Sequence, residues 1–298
     1  MSPTFADAEL LGTFKPGSPA WHAARADGLG GSEIAAVVGL SPWESPYSLW
    51  HRKAGLIGPV QQTEPMVWGH RLEDDILEEF ELRHPELMLT GSGTYRNLAR
   101  PWQIANPDEL AVGEFGNRFG IEVKTARVAD DWGRPGSDDI PVYYRTQVIH
   151  YMDTLGLHTF YLPVLIGGSE YREYVIGYDP VDAGLLREAG QAFMASVAAG
   201  QVPDADGHEA TYRTAKELAV GLPGTGEAVE ISPALAAAYD DARAALTAAE
   251  AAKRAAVARI LAAIGKARYA ECGGSRVATR TVKADGTTHG LQPAKGSS

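Results

Sequence analysis

The chain has 298 residues, 45% apolar and 22% charged, enough for one large globular domain or one domain with a smaller appendage. Its net charge of −11 divides into +6 over residues 241–298 and −17 over the rest, which disfavours nonspecific adhesion to nucleic acid over the whole surface and leaves room for a local basic groove. A lone Cys272 excludes an internal disulfide framework and a Cys-rich metal site; no membrane-length apolar run and no secretory signal are seen, so a soluble cytoplasmic protein is expected.

In chain order, residues 1–20 read as a loose lead-in rich in Pro and Gly, and 21–205 as a compact body. Helical patterns fall near 31–38, 45–55 and 66–83. Strands are expected at 101–112 and 119–126, then a Gly- and Asp-containing loop over 128–139. A helix over 141–155 starts at Pro141, with Asp138 or Asp139 as its cap. Strands at 158–166 and 170–178 flank a Gly167-Gly168 hairpin turn, and a helix follows at 181–199. Helices and strands intermix, which predicts an α+β fold: a mixed sheet with helices packed on it. Residues 206–232 read as a connector with a short helix near 211–219. Residues 233–283 read as a helical extension with short strands. Its helix, 233–264, is Ala-rich, and Leu235, Tyr239, Ala242, Leu246, Ala249, Ala256 and Ile260 form a seam interrupted by Lys253. That seam fits an amphipathic helix lying on the main domain or a helical arm for oligomer contact. Strand character returns at 275–283, and 284–298 reads as a disordered tail.

The chemistry-bearing residues begin with GIEVKTA, 120–126. Alternation sends Phe119, Ile121 and Val123 to one face, and Glu122 with Lys124 to the other. A surface salt bridge would explain that pair. The preceding NPD, however, places Asp108 a hairpin's length away, where it faces Glu122. Two carboxylates so close repel unless a cation lies between them, and hard oxygen ligands point to magnesium or manganese. In GHRLEDDILEEF, Glu73 lies on or beside the apolar stripe of Leu72, Ile76, Leu77 and Phe80, while Asp74, Asp75, Glu78 and Glu79 can face water. Gln147 and Tyr151 share one face of the 141–155 helix, with Tyr144 a turn earlier. Gly30-Gly31-Ser32 opens a helix and presents main-chain N–H groups to an anion.

Four stretches, WHAARADGLGGSEIAAVVGLSPWESPYSLW, GHRLE, NPD with GIEVKTA, and PVYYRTQVIHY, follow the order found in the lambda-exonuclease/YqaJ-type viral recombination nucleases. The chain resembles that branch of the PD-(D/E)XK superfamily from Trp21 to about Pro203. The resemblance implies a restriction-endonuclease-like mixed β-sheet core flanked by helices. It implies metal ligation by Asp108 and Glu122, with Val123 and Glu73 completing the set. Lys124 matches the catalytic lysine, and Gln147, supported by Tyr151, the helix glutamine that steadies it. Arg25 and Ser32 match the pocket for a 5′-phosphate. One departure is Glu109, where the family usually has Gly; it adds a negative side chain beside the expected metal site.

The expected function is a Mg²⁺-dependent exodeoxyribonuclease, with Mn²⁺ as substitute and one or two ions. It would resect double-stranded DNA ends 5′ to 3′ for phage-type recombination, alongside a single-strand annealing protein and as a homo-oligomeric ring. The alternatives are a restriction-like or structure-specific endonuclease, or a noncatalytic DNA-binding module. Arg52, Lys53, Arg71, Arg96, Arg100, Arg127 and Arg145 are candidate DNA-backbone contacts, and Trp43 and Trp50 fit either core packing or stacking at a DNA end.

Overall fold

The computed structural model of the chain describes residues 5–219 and 228–294. It separates into two compact units, Met1–Leu222 and Pro223–Ser298. The first unit begins with β1 (Ala8–Gly12), α1 (Pro19–Arg25), β2 (Leu29–Gly30), α2 (Gly31–Val37), α3 (Pro46–Lys53) and α4 (Glu64–Arg83). Then come β3 (Leu87–Leu89), β4 (Thr94–Asn97), β5 (Gln103–Ala105), β6 (Glu109–Gly113), β7 (Arg118–Ile121) and β8 (Lys124–Ala126). It closes with α5 (Val142–Leu155), β9 (Thr159–Ile166), β10 (Glu170–Gly177), α6 (Pro180–Ala198) and α7 (Glu209–Leu218).

Several helices start where a short oxygen-bearing side chain precedes proline. Ser18, Ser45 and Asp179 accept main-chain N–H bonds at the starts of α1, α3 and α6, each with Pro at the first helical position. That proline has no N–H to leave unsatisfied and a preset φ. At α5 the expected Asp138 or Asp139 cap is not formed. Pro141 itself holds the cap position without a side-chain bond, and Asp138 is drawn instead to Arg145 at 3.3 Å. Gly156, at φ 70°, ends α5 in the left-handed conformation.

The main sheet is mixed, in the order β10-β9-β7-β6-β3, with β8 also on β9. β7 and β8 both run parallel to β9, pairing Gly120–Ile121 with Phe160–Tyr161 and Lys124–Ala126 with Val164–Ile166. The expected strand 119–126 is thus one line beside β9, broken at Glu122 and Val123. The return from β8 to parallel β9 needs a crossover, and α5 supplies it. The β9–β10 hairpin turns through Gly167 and Gly168 at φ 60° and 76°, the doubly left-handed turn that matches strand twist.

Each sheet face buries its own set. Phe80 and Leu77 of α4 pack on Ala111, Ile121 and Phe119. On the opposite face Leu110, Phe160, Leu162 and Val164 join Val148, Ile149 and Met152 of α5 and Ile34 of α2. Gly120 on β7 is required there, because a Cβ would stand 2.0 Å from the Phe160 ring. This mixed sheet between helices is the restriction-endonuclease-like architecture expected from the sequence.

Two segments are more ordered than their composition implied. The lead-in contains β1, which pairs antiparallel with β4 in a second sheet ordered β1-β4-β5-β2. The compact body also runs past residue 205. In α7 the buried Thr211 donates to Ser45 Oγ at 2.7 Å, and His208 Nε2 contacts the Ser41 carbonyl at 3.1 Å.

The second unit consists of α8 (Pro233–Ile264) and the antiparallel sheet β11 (Tyr269–Cys272), β12 (Ser275–Val282) and β13 (Thr288–Pro293). α8 spans the expected helix, capped by Ser232, and leaves Leu235, Tyr239 and Leu246 exposed. The tail expected to be disordered instead forms β13 up to Pro293. Asp285 accepts the Thr287 N–H and Gly286 takes φ 81°, a tight turn that folds β13 back on β12. The last expected tail residues, 295–298, lie outside the described residues.

Candidate functional site

Pro107 separates β5 from β6, and the register Glu109↔Ile121 sets Asp108 across from Glu122. Asp108 Oδ2 accepts the Val123 N–H at 2.8 Å, while the Glu122 N–H bonds the Tyr161 carbonyl at 3.0 Å. The break between β7 and β8 is therefore satisfied from both sides, and it directs Glu122 and Lys124 toward α5. Val123 is buried and its side chain carries no donor atom, so only its main-chain carbonyl could meet an ion.

Glu122 is 3% exposed. Its Oε1 accepts from Lys124 Nζ at 2.5 Å and from the Gln147 amide, whose nitrogen also donates to the Tyr151 hydroxyl at 3.3 Å. Its Oε2 is buried with no hydrogen-bond partner among the described residues. An orphaned carboxylate oxygen in the interior costs free energy unless a cation meets it. Burial, and then the Glu122 charge, push the Asp108 carboxyl well above its usual range; Glu73 adds to this while Lys124 and the Val123 N–H oppose it. The site carries more negative charge than its own amine neutralises.

Glu73 lies on the inward side of α4, with Asp74, Asp75 and Glu78 exposed. Its carboxyl is raised by burial, opposed by a bond from His70 at 3.5 Å, and raised further by the charge of Glu122. Glu73 thus faces the pair electrostatically but does not close on it. Among the described residues no three acidic, His or Cys side chains are near enough to hold one metal ion. The donor set that fits a hard divalent cation is Asp108 with the free oxygen of Glu122.

Lys124 does not follow the lowering that burial alone imposes on an amine. Burial pulls Lys124 down, but the charges of Glu122 and Asp108 outweigh it, and its pKa lies above the normal lysine value. Lys124 is an ammonium here, 4.9 Å from the centre of the Tyr144 ring.

A second polar cluster sits where α1, β2 and α2 meet. Arg25, nearly buried, places Nη2 3.3 Å from Ser32 Oγ and its guanidinium 4.1 Å from the Trp21 ring centre. Glu33 accepts the Gly30 N–H at 2.7 Å and pairs with Lys53 at 2.9 Å and Arg25 at 3.8 Å. Burial opposes ionisation of Glu33, yet Lys53 and Arg25 hold its carboxyl below the normal range. A Cβ on Gly30 would lie 2.2 Å from Arg25 Nη2, so only glycine lets the guanidinium lie across the chain. The sequence reading missed Glu33 as the hub; the signal was its place three residues after the start of a glycine-opened helix.

Most of the expected DNA-backbone contacts are otherwise engaged. Lys53 holds the Gly28 carbonyl and Glu33, and Arg52 pairs with Glu44. Arg96 pairs with Glu9, Arg100 with Asp153, and Arg145 with Asp138 and Asp182. Among the described residues Arg71 and Arg127 are exposed and form no ion pair; Arg71 lies over the Trp68 ring at 5.1 Å. The unusual Glu109 bonds the Leu110 N–H at 2.8 Å, and its charged neighbour is Glu81 rather than the Asp108–Glu122 pair.

Residues 20–158 match the model of the YqaJ-like viral recombinase domain. The chain is 31% identical over 204 residues to the uncharacterized protein YqaJ of Bacillus subtilis, covering 66% of this chain and 62% of that one. It is 39% identical over 156 residues to protein D345L of African swine fever virus, covering 44% of each. The chain therefore spans less than two thirds of either relative. Among solved structures, the alkaline exonuclease LHK-Exo from Laribacter hongkongensis superposes with a TM-score of 0.50 at 19% identity, over 67% of this chain and all of that one. Its complex with dAMP gives 0.51 at 18%. At such identity the likeness is one of fold.

Proposed function

We propose, on the premise that residues 20–158 constitute a YqaJ-like viral recombinase domain, that the chain is a divalent-metal-dependent deoxyribonuclease. In this reading it resects double-stranded DNA from 5′ ends and leaves 3′ single strands for an annealing partner in phage-type recombination. The observation that carries the reading is the convergence of Asp108, Glu122, Lys124 and Gln147, with Glu122 Oε2 left unpartnered.

Asp108 and Glu122 would hold Mg²⁺ or Mn²⁺, with Val123 contributing its carbonyl and Glu73 acting at longer range. The ion would acidify water and offset charge on the phosphoryl oxygens. Lys124, kept as an ammonium by its two acidic neighbours, donates hydrogen bonds: it orients the attacking water and meets the negative charge that grows on the phosphate. Gln147 fixes the Glu122 carboxylate, and Tyr151 fixes Gln147, so the geometry is set before substrate arrives. Arg25 and Ser32 take the terminal 5′-phosphate, the guanidinium offering a two-pronged grip.

The test is digestion of linear DNA with defined 5′ and 3′ end chemistries, with and without magnesium. Linear 5′-phosphorylated duplex is degraded, a closed circular plasmid survives, and Lys124→Ala is inactive. Cleavage of the circle would replace the exonuclease with an endonuclease, and metal-independent degradation would overturn the site.

A further inference from the structure

Large aromatic side chains in this unit are mostly covered. Trp50 and Trp132 are buried, but Trp43 is 59% exposed. It is exposed from a fixed position. Ser41 Oγ accepts the N–H groups of both Trp43 and Glu44 at 3.2 Å, which closes the turn before α3. The indole stands edge-on to Tyr143, 4.7 Å between centres and 74° between planes, and 6.1 Å from the Tyr144 ring. Tyr144 in turn covers Lys124. The next carboxylate along the chain, Glu44, is neutralised by Arg52 and accepts from Ser48. That pairing offsets the negative charge next to Trp43 in the chain; Asp131 adds a carboxylate near Tyr143. A rigid indole with an open surface, next to the Tyr144 ring that covers Lys124, has the shape and chemistry of a stacking platform.

We infer that Trp43 is a nucleobase-binding residue: its indole stacks on a base of the DNA end next to the phosphate being cut. The inference rests on the nuclease reading for its location and on the exposed, braced ring for its chemistry. Stacking does not read hydrogen-bond patterns, so this contact positions the end with little sequence preference.

The experiment uses the full chain and two 5′-phosphorylated duplexes. One carries normal terminal nucleotides, the other an abasic analogue in the terminal nucleotides of the cut strand. Base–aromatic stacking is worth ~5- to 150-fold in affinity. Wild type shows a KM for the abasic end raised by a factor in that range. Trp43→Ala shows the raised KM already on the normal end, with no further loss on the abasic one, and Trp43→Phe recovers most of the difference. A structural role for Trp43 would instead lower activity equally on both substrates and lower Tm, which would overturn the inference; so would a variant matching wild type on both. A 2-aminopurine at the same terminal position supplies a readout without cleavage, since stacking quenches its fluorescence. Quenching that depends on Trp43 without any cutting retains the stacking and rejects the nuclease reading. Cutting with no Trp43-dependent base effect rejects the stacking and retains the nuclease. Neither signal rejects both.

Discussion

The main chain of Gly31 lies against the ring of Tyr151: a methyl group built on its Cα would stand 2.5 Å from Tyr151 Cε1 and 2.9 Å from the Gln147 carbonyl oxygen. This contact joins the Arg25 cluster to the acidic site. α2 sits on α5 at this point, and α5 carries the Gln147 that holds Glu122. Gly31→Ala is expected to force α2 and α5 apart, with a destabilisation of about 1–3 kcal/mol. It is also expected to cut the turnover of 5′-phosphorylated linear DNA by more than tenfold. Thermal melting and steady-state rates check this; an unchanged rate in a folded variant would show that the contact does not set the position of Gln147.

The Asp108 carboxyl ionises at an electrostatic cost, imposed by burial and then by the charge of Glu122. Asp108→Asn keeps an oxygen for the Val123 N–H and removes the repulsion. The variant is therefore expected to melt a few degrees higher than wild type in chelator, and manganese is expected to raise the Tm of wild type but not of the variant. Its cleavage activity is lost. Differential scanning calorimetry with and without Mn²⁺ measures both effects; a variant less stable than wild type in chelator contradicts the charge argument.

His150 gives a pH dependence of known sign. Its Nε2–H bonds the Leu29 carbonyl at 3.0 Å, and burial pulls its pKa from 6.5 down to about 4. Between those values the unfolded chain takes up a proton that the folded chain refuses. Stability is therefore lost as pH falls from about 7 toward 4, by on the order of 3 kcal/mol from this group. His150→Gln, which retains a donor for Leu29 but does not titrate, is expected to show a flatter fall in Tm over that interval. Parallel curves for the two proteins would mean that His150 titrates normally.

The helices and the β9–β10 hairpin are legible because their signals are local: prolines after capping residues, an apolar stripe in α4, a Gly-Gly turn. The Asp108–Glu122 pairing is legible because one hairpin sets it. What escaped reading depends on distant partners. β1 is a strand only because β4 offers its edge, and β2 spans two residues. The break at Glu122–Val123 exists because the Asp108 side chain takes the Val123 N–H, while the Glu122 N–H keeps its regular bond to the Tyr161 carbonyl of β9. Alternation alone cannot show that. The charge state of Lys124 is not a local property either. Its pKa follows the summed charge of residues from two hairpin strands, and the acids outnumber it.

Arg25 separates end recognition from chemistry. Its guanidinium is held by Trp21, Ser32 and Glu33 but contributes no bond to Glu122 or Lys124. Removing it leaves the Glu33–Lys53 pair and the Gly30 N–H bond in place, so α2 keeps its start. Arg25→Ala is therefore expected to fold and to cleave 5′-hydroxyl ends at the wild-type rate. It is also expected to lose its preference for 5′-phosphorylated ends, because a charge-assisted contact worth roughly 1.5–3 kcal/mol, about 10- to 150-fold, is gone. Arg25→Lys restores charge without the planar fork and is expected to recover part of that preference. The measurement is the ratio of kcat/KM on duplexes that differ only in the terminal phosphate. If Arg25→Ala keeps the wild-type ratio, the phosphate is bound elsewhere; if it slows both substrates alike, the cluster supports the fold and recognises no end.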